Sequence, residues 1–491
     1  MGPRFQLHEL ALVLDMCPAA VQSLCDHQLI RQSLGCRVKP GGNVEYSFND
    51  PRLCGAAYSR LPAPVTERLH RRAVNVIANR QTASELTPFD CQEIADHCER
   101  SGDQLRAANW WLQAGQEAIQ KGLNELAISC LESAVVEPCH TMTRSGKCVP
   151  YRVSHLLACQ VATVEGYASS HPHLACLKFS TSALTRSSGR TEERFDLLWA
   201  AAKYQLTAGN IYKARRTVRH LLWIALESSD KYQILAHKLA GKAELLSGRL
   251  IASCFHFTRA IELYKPIEHG DLRFDYNADQ LALAFVYRAW ARAALGQGTA
   301  ALKDANMALR QARLIDHAFT QTSTMAVSGL VHEFLNKQAE ATIYAMTSVT
   351  LSNQNHYSYW RAWSEVIHAG LNLTKQPATT LEDMVPAGQA YRALRASQFL
   401  GYVYRKSASA SLHIEDIDNA IEYAQKGIRH CQRSGIAIDL AELHLLIAEC
   451  YGRRQHSRAR AQHLERALAN AKSMRMNSMI ERVTQAMHRL H

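Results

Sequence analysis

Few residues in this sequence have types and spacings that could do chemistry. Cys139, His140 and Cys148 flank one loop and would give three ligands to zinc, which needs four at workable spacing, and no clear fourth follows. His171 and His173 share a turn and lack a third imidazole or thiolate nearby. The signatures of a helical zinc protease (H-E-x-x-H), a serine-hydrolase elbow (G-x-S-x-G) and a Cys-His-Asn hydrolase are absent. The phosphate-cradling string G-x-x-x-x-G-K-[ST] is absent too. We therefore expect no catalytic residue, no cofactor and no metal.

The remaining candidates are residues that grip. Tyr357, Tyr359, Trp360 and Trp363 cluster around Arg361, a composition that holds a peptide by stacking and cation–π contact when it lines a groove. Packing between helices is the plainer role of the same residues. Trp110 and Trp111 are neighbours on one helix and point about 100° apart. Trp111 falls on a stripe with Ala107 and Ala114, which leaves Trp110 to face a neighbouring helix or a partner. The expected partner-binding residues are thus Tyr357, Tyr359, Trp360, Arg361, Trp363 and Trp110.

The elements that must position them are helices. From about residue 60 onward apolar residues recur at i, i+3, i+4 and i+7, with short breaks at Gly, Asn, Asp or Ser. Helices joined by tight turns fold as antiparallel hairpins. The hairpins repeat: a turn is followed by a stripe of small or apolar residues at offsets of zero, four and seven. The copies are Ala214/Val218/Leu221, Ser253/Phe257/Ala260, Ala301/Ala305/Ala308, Ala341/Ala345/Ser348, Ala420/Ala424/Gly427 and Leu464/Ala467. Their first positions step by 39, 48, 40 and 79 residues up to Ala420, a period near 40 with the last step counting as two units. Small side chains let two helices approach closely, and stacked hairpins share one continuous core in a superhelix. The clearest copy, LGQGTAALKDANMALRQA (295–312), is tetratricopeptide-like. SGDQLRAANWWLQAG (101–115) and KGLNELAISCLESA (121–134) follow the same logic at a shorter interval. Residues 137–150 read as a boundary loop with Pro near both ends, and 265–275 and 374–380 as further loops.

Composition agrees with a helical globular chain. Of 491 residues, 47% are hydrophobic and 20% charged, and Gly (24) and Pro (13) are too scarce for a turn-rich all-β protein. The longest apolar window, ALAFVYRAWARAAL, is interrupted by Arg288 and Arg292, so no membrane span is expected. Glu9 and Asp15 interrupt the N-terminal apolar stretch, which therefore does not read as a signal peptide, and we expect a cytoplasmic protein. Fourteen scattered cysteines without a C-x-x-C read as reduced and mostly buried thiols, as at Cys130 and Cys254. The net charge of +12 is concentrated at the C-terminus, where residues 450–491 hold nine Arg/Lys against two Glu. That stretch is either a solvated face or a contact for an acidic partner.

The first 60 residues differ. FQLHELALVL reads as a helix, Pro18 opens a second (AAVQSLCDHQLI), and NVEYSF after Gly41-Gly42 alternates like a strand. Helix, turn, helix and wing make a winged-helix outline. Pro18–Leu29 contains no Lys or Arg and holds Asp26, which disfavours phosphate contact.

Four further segments complete a resemblance. EYSFNDPRLCGAAYSRLPAPVTERLHRRA (45–73), IADHCERSGDQLRAANWWLQAGQEA (94–118), and YWRAWSEVIHAG (359–370) with AELHLLIAECYGRR (441–454) occur in an order that resembles the C-terminal part of AAA/STAND-type signalling ATPases. Those proteins join a nucleotide-binding module to a winged helix and a tetratricopeptide-like array, as in class III adenylate cyclases and some transcriptional activators. The chain departs from them by lacking the phosphate loop, any room for a nucleotide-binding domain before Phe5, and the His that usually follows the Phe of the strand, where Phe48 precedes Asn49-Asp50-Pro51. The resemblance implies a regulatory part without its engine.

The expected fold is all-α: a tetratricopeptide-like helical-hairpin superhelix with a small N-terminal winged-helix-like unit. The expected domains are 1–60 (winged-helix-like), 61–137 (helical linker and first hairpins) and 151–491 (superhelical array). The expected function is a non-enzymatic regulatory or scaffold protein in signal transduction that binds a protein or peptide through a helical-repeat groove. By resemblance, one partner is a nucleotide-binding signalling module. The alternatives are a DNA-associated transcriptional regulator and the regulatory C-terminal part of a larger STAND ATPase or adenylate cyclase. Nucleic acid is the less favoured partner.

Overall fold

The computed structural model describes residues 4–16, 30–32, 45–48, 58–78, 86–134, 149–166, 191–373 and 375–488, with Ser23, Asp50 and Arg52 as isolated positions. They form two compact units, residues 1–157 and 158–491.

In the first unit, β1 (Arg4–Gln6) leads directly into α1 (Leu7–Leu14). The expected helix over FQLHELALVL is thus corrected at its start. Phe5 and Gln6 are extended because they pair antiparallel with Tyr46 and Glu45. β2 (Ile30–Gln32) flanks β3 (Glu45–Phe48) on its other edge, giving the order β1-β3-β2. β3 lies in the expected wing segment. The expected second helix falls outside the described residues apart from Ser23. α1 packs on α2 (Ala63–Ala78).

α3 (Pro88–Arg100) starts where the sequence offers every start signal at once. Thr87 caps it, Asp90 returns the capping box, and Pro88 fills the first turn, where a missing N–H is harmless. α4 (Gln104–Gln120) and α5 (Asn124–Ser133) follow through turns at Gly102 and Gly122. α6 (Val149–Glu165) begins inside the expected boundary loop and spans the division between the units.

The second unit is a run of hairpins. α7 (Thr191–Thr207) pairs with α8 (Ile211–Leu226), α9 (Asp230–Leu246) with α10 (Leu250–Leu263), α11 (Gln280–Ala294) with α12 (Gly298–Leu314), and α13 (Ala318–Phe334) with α14 (Gln338–Gln354). α15 (Ser358–Leu371) pairs with α16 (Pro377–Ala393), α17 (Leu400–His413) with α18 (Ile417–Ser434), α19 (Leu440–Arg453) with α20 (Ser457–Met474), and α21 (Asn477–His488) closes the series. The leading helices start at 191, 230, 280, 318, 358, 400 and 440, the period near 40 that the stripes announce. The single long step contains two short helical turns, Pro266–His269 and Leu272–Asp275, where a loop was expected. The double interval between Ala341 and Ala420 holds α16, whose stripe is Thr380, Met384 and Gly388.

Every stripe position read from the sequence is buried. The close approach they allow is visible at Gly329 of α13, where a Cβ would lie 3.4 Å from the backbone of Ala341 and Ala345 on α14. Gly241 of α9 is tighter: a Cβ there would come within 2.7 Å of the Phe257 ring on α10.

Hairpin ends about 190 residues apart also touch. The Ser397 N–H donates to the Thr207 carbonyl at 2.9 Å, and its hydroxyl donates to the Ala208 carbonyl at 2.7 Å. The Ala437 N–H donates to the Leu246 carbonyl at 2.8 Å. Gly248 abuts Met474, and Gly296 abuts Ser478. Within this unit the array therefore winds back on itself. Its leading helices α9, α11, α13, α15 and α17 become buried on nearly every face.

Candidate functional site

Burial of the leading helices brings their side chains together on the inner face of the second unit. At the centre is an aromatic belt. Trp290 of α11 meets Trp363 of α15 edge-on at 6.3 Å between centroids, Trp363 stacks on Phe399 at 4.0 Å, and Phe399 stacks on Tyr402 of α17 at 4.5 Å. Tyr359 reaches Tyr391 of α16 with 3.4 Å between hydroxyls, and the Gln398 side chain donates to Tyr359. The proposed aromatic anchors Tyr357, Tyr359, Trp360 and Trp363 are all buried in this belt, Trp363 with 1% of its surface exposed.

Arg361 is separated from them. It lies on the exposed side of α15 and approaches Glu365 at 3.8 Å. In the first unit Trp111 is buried and donates its indole N–H to Glu99 at 3.1 Å, whereas Trp110 is half-buried.

Charged groups occupy both sides of the belt. On one side Arg405 of α17 binds Asp439 at 3.2 Å and Glu442 at 2.8 Å, and Lys406 pairs with Glu333 of α13. Tyr402 also donates to Glu333 at 2.6 Å. On the other side Lys203 of α7 approaches Lys238 and Lys242 of α9, and burial pulls all three ammonium groups below their ordinary range, Lys203 to about 8. A further buried pair, Arg288 with Asp304 at 2.8 Å, ties α11 to α12.

Several polar atoms on these inner helices are buried and have no hydrogen-bond partner among the described residues. Among them are the indole nitrogens of Trp290 and Trp363 and the hydroxyls of Thr324 and Ser328, the last two one turn apart on α13. A buried donor without a partner is uncommon in a native fold and calls for a cause. A groove of about 560 Å³ lies between α14, α15 and α16, lined by Met346, His368, Asp383 and Pro386 among others.

The lysine group and the orphaned polar atoms escaped the sequence reading. Each of these residues sits alone in the sequence among helix-forming neighbours, and only the return of the array assembles them. Paired histidines escaped it for another reason. His237 and His256 place their Nδ1 atoms 3.0 Å apart, and His444 and His463 place theirs 3.1 Å apart. Both pairs have the same spacing of 19 residues, a signal that the repeat alignment could have found. Cys139, His140, Cys148, His171 and His173 lie outside the described residues. Among the described residues no group of three or more His, Cys, Asp or Glu could hold a metal ion. No helix is long and apolar enough to cross a membrane, among the described residues. The basic C-terminal stretch is partly neutralised: Arg453 pairs with Glu415, Arg454 with Asp418 and Arg482 with Glu442.

No family model matches the sequence, and no curated protein matches it. Solved structures do match. A Rap protein complexed with competence and sporulation factor superposes with a TM-score of 0.56 at 11% identity, covering 75% of this chain and 98% of the other. NprR in complex with its cognate peptide NprX gives a TM-score of 0.45 at 13% identity, over 68% of this chain and 96% of the other. A STAND protein with a tetratricopeptide repeat sensor from Pyrococcus horikoshii gives 0.35 at 11% identity, over 99% of this chain and 63% of the other. The Rap match establishes the tetratricopeptide-like helical-repeat fold.

Proposed function

We propose that this chain is a non-enzymatic regulatory protein that binds a peptide, or a short segment of a partner protein, along the inner face of its second unit. The observation that carries this reading is the set of orphaned polar atoms at Trp290, Trp363, Thr324 and Ser328. Those groups can be satisfied by the carbonyl and N–H groups of an extended peptide, and the flanking aromatic rings give it apolar walls. The fold shared with a Rap protein complexed with competence and sporulation factor supports the same reading. In it Tyr357, Tyr359 and Trp360 shape the groove from behind, Trp363 turns its indole N–H to the peptide, Arg361 serves an outer contact, and Trp110 serves a separate contact of the first unit. We read β1–β3 and α1 as a winged-helix-like unit that docks on a neighbouring domain, with a nucleotide-binding signalling module as the partner the array restrains.

The test uses the full chain immobilised against a random octapeptide library, with retained peptides sequenced. Enrichment of a few related sequences, lost in Ser328→Leu, is the expected result. Retention of no peptide above background, or salt-dependent retention of duplex DNA in its place, would sink the reading and favour the DNA-associated alternative.

A further inference from the structure

Three amines converge at one end of the inner face. Lys203 and Lys238 place their Nζ atoms 5.5 and 5.6 Å from the centroid of the same ring, Trp199. Lys242, one turn beyond Lys238, lies 5.0 Å from the Tyr287 ring centroid and 3.2 Å from its hydroxyl. Lys238 donates to the amide oxygen of Gln280 at 2.5 Å. The aromatic faces and the amide oxygen are arranged to receive cations.

What sets Lys238 and Lys242 apart is their compensation. Arg288 has Asp304, Arg405 has Asp439 and Glu442, and Lys406 has Glu333. Lys238 and Lys242 are as deeply buried, yet no carboxylate stands within ion-pair distance of either among the described residues. The nearby acid, Asp279, is committed elsewhere: it accepts from the Tyr264 hydroxyl at 2.5 Å and from the Ala282 N–H at 2.7 Å. A buried cation held only by neutral groups is costly, and an anion brought by a ligand removes that cost. Lys203 is half-buried, the most exposed of the three amines.

We propose that Lys203, Lys238 and Lys242 bind a carboxylate of the peptide ligand, its C-terminal carboxylate, and so fix the peptide's direction and register on the inner face. This rests on the peptide-binding reading above. Three compact ammonium groups suit a small carboxylate better than an extended anionic surface. Lys203 faces Cys159 of α6 and Lys238 and Lys242 of α9, Lys238 also faces Asp279 just before α11, and Lys242 faces Tyr287 of α11. Protonation of the amines therefore accompanies capture, and affinity falls as pH rises through about 8.

The test compares three random octapeptide pools on the full chain. The first has free C-termini and excludes Asp and Glu, the second is the same pool amidated, and the third is amidated but includes Asp and Glu. The first pool should bind at least tenfold more tightly than the second, and Lys238→Met/Lys242→Met should abolish that difference. Recovery by the third pool assigns the same site to a side-chain carboxylate. Equal binding of the first two pools, or an unchanged preference in the double variant, overturns the carboxylate site and leaves peptide binding intact. If no pool binds, the melting temperature in inorganic phosphate and in acetate decides: a rise in the wild type that the double variant lacks keeps the anion site and discards the peptide. No rise discards both. Without ligand the double variant should melt higher than the wild type; a lower melting temperature would mean the lysines serve only to hold α9 on α11, and would overturn the proposal.

Discussion

Gln455 has φ of 57° in the turn between α19 and α20, two positions before the next helix begins. Gly209, Gly248 and Gly296 occupy the same position in the earlier hairpins, with φ between 70° and 82°. The left-handed conformation costs a residue with a Cβ about 1 kcal/mol or more, which glycine avoids. Gln455→Gly should therefore stabilise the chain by about 0.5–1 kcal/mol, read by urea denaturation. The glycine turns were legible in the sequence because glycine announces them. The same turn built with Asn336, Glu415 or Gln455 carries no such mark. Arg405 gives the opposite case. Its loss strands Asp439 inside the unit and leaves Glu442 only its longer contact with Arg482, so Arg405→Leu should cost about 3–5 kcal/mol in the same measurement.

Between helices, the histidine pairs join the two members of a hairpin: His237 of α9 with His256 of α10, and His444 of α19 with His463 of α20. One Nδ1–H donates to the other Nδ1, so each pair is built for neutral rings. Burial, and then the partner ring and a nearby Arg, pull His237 and His444 down to about 4. A lowered folded pKa means stability that is complete above the ordinary value of 6.5 and is lost as pH falls towards 4. We expect about 1 kcal/mol lost per pair over that window, allowing for partial exposure, and a flatter profile in His237→Gln/His444→Gln. Thermal melts across pH 4–7 would check this, and parallel profiles for variant and wild type would refute it. The small-residue stripes make a second prediction at this scale. Ala305 is fully buried between α12 and its neighbours, so Ala305→Leu should destabilise by about 1–3 kcal/mol through overpacking.

Across the second unit, the decisive contacts are those between hairpin ends that the chain separates by about 190 residues, Thr207 with Ser397 and Leu246 with Ala437. They convert an open stack of hairpins into one that returns on itself. The amides of Ser397 and Ala437 lie in loops, yet both should exchange slowly with deuterium because each donates to a distant carbonyl. Ala437→Pro removes one of those donors. Exchange should then quicken on both sides of the contact, at 246–248 and 434–439, while the interior of α13 stays protected. Quickening confined to the mutated loop would mean that the two loops do not hold one another.

The sequence by itself determined the hairpins, their period and the stripes that pack them, because these follow from local residue spacing. Ala301, Ala305 and Ala308 identify a buried helix face without any knowledge of what covers it. It also marked Tyr357, Tyr359, Trp360 and Trp363 as a cluster, though not whether they face solvent or one another. Only the tertiary structure decided that they are enclosed, that Arg361 points away from them, and that Lys203, Lys238 and Lys242 meet. The physical reason is range. Helix periodicity is a property of neighbours three and four residues apart, whereas the inner face is made by the superhelical return, which depends on the summed small rotations between successive hairpins and leaves no mark on any single segment.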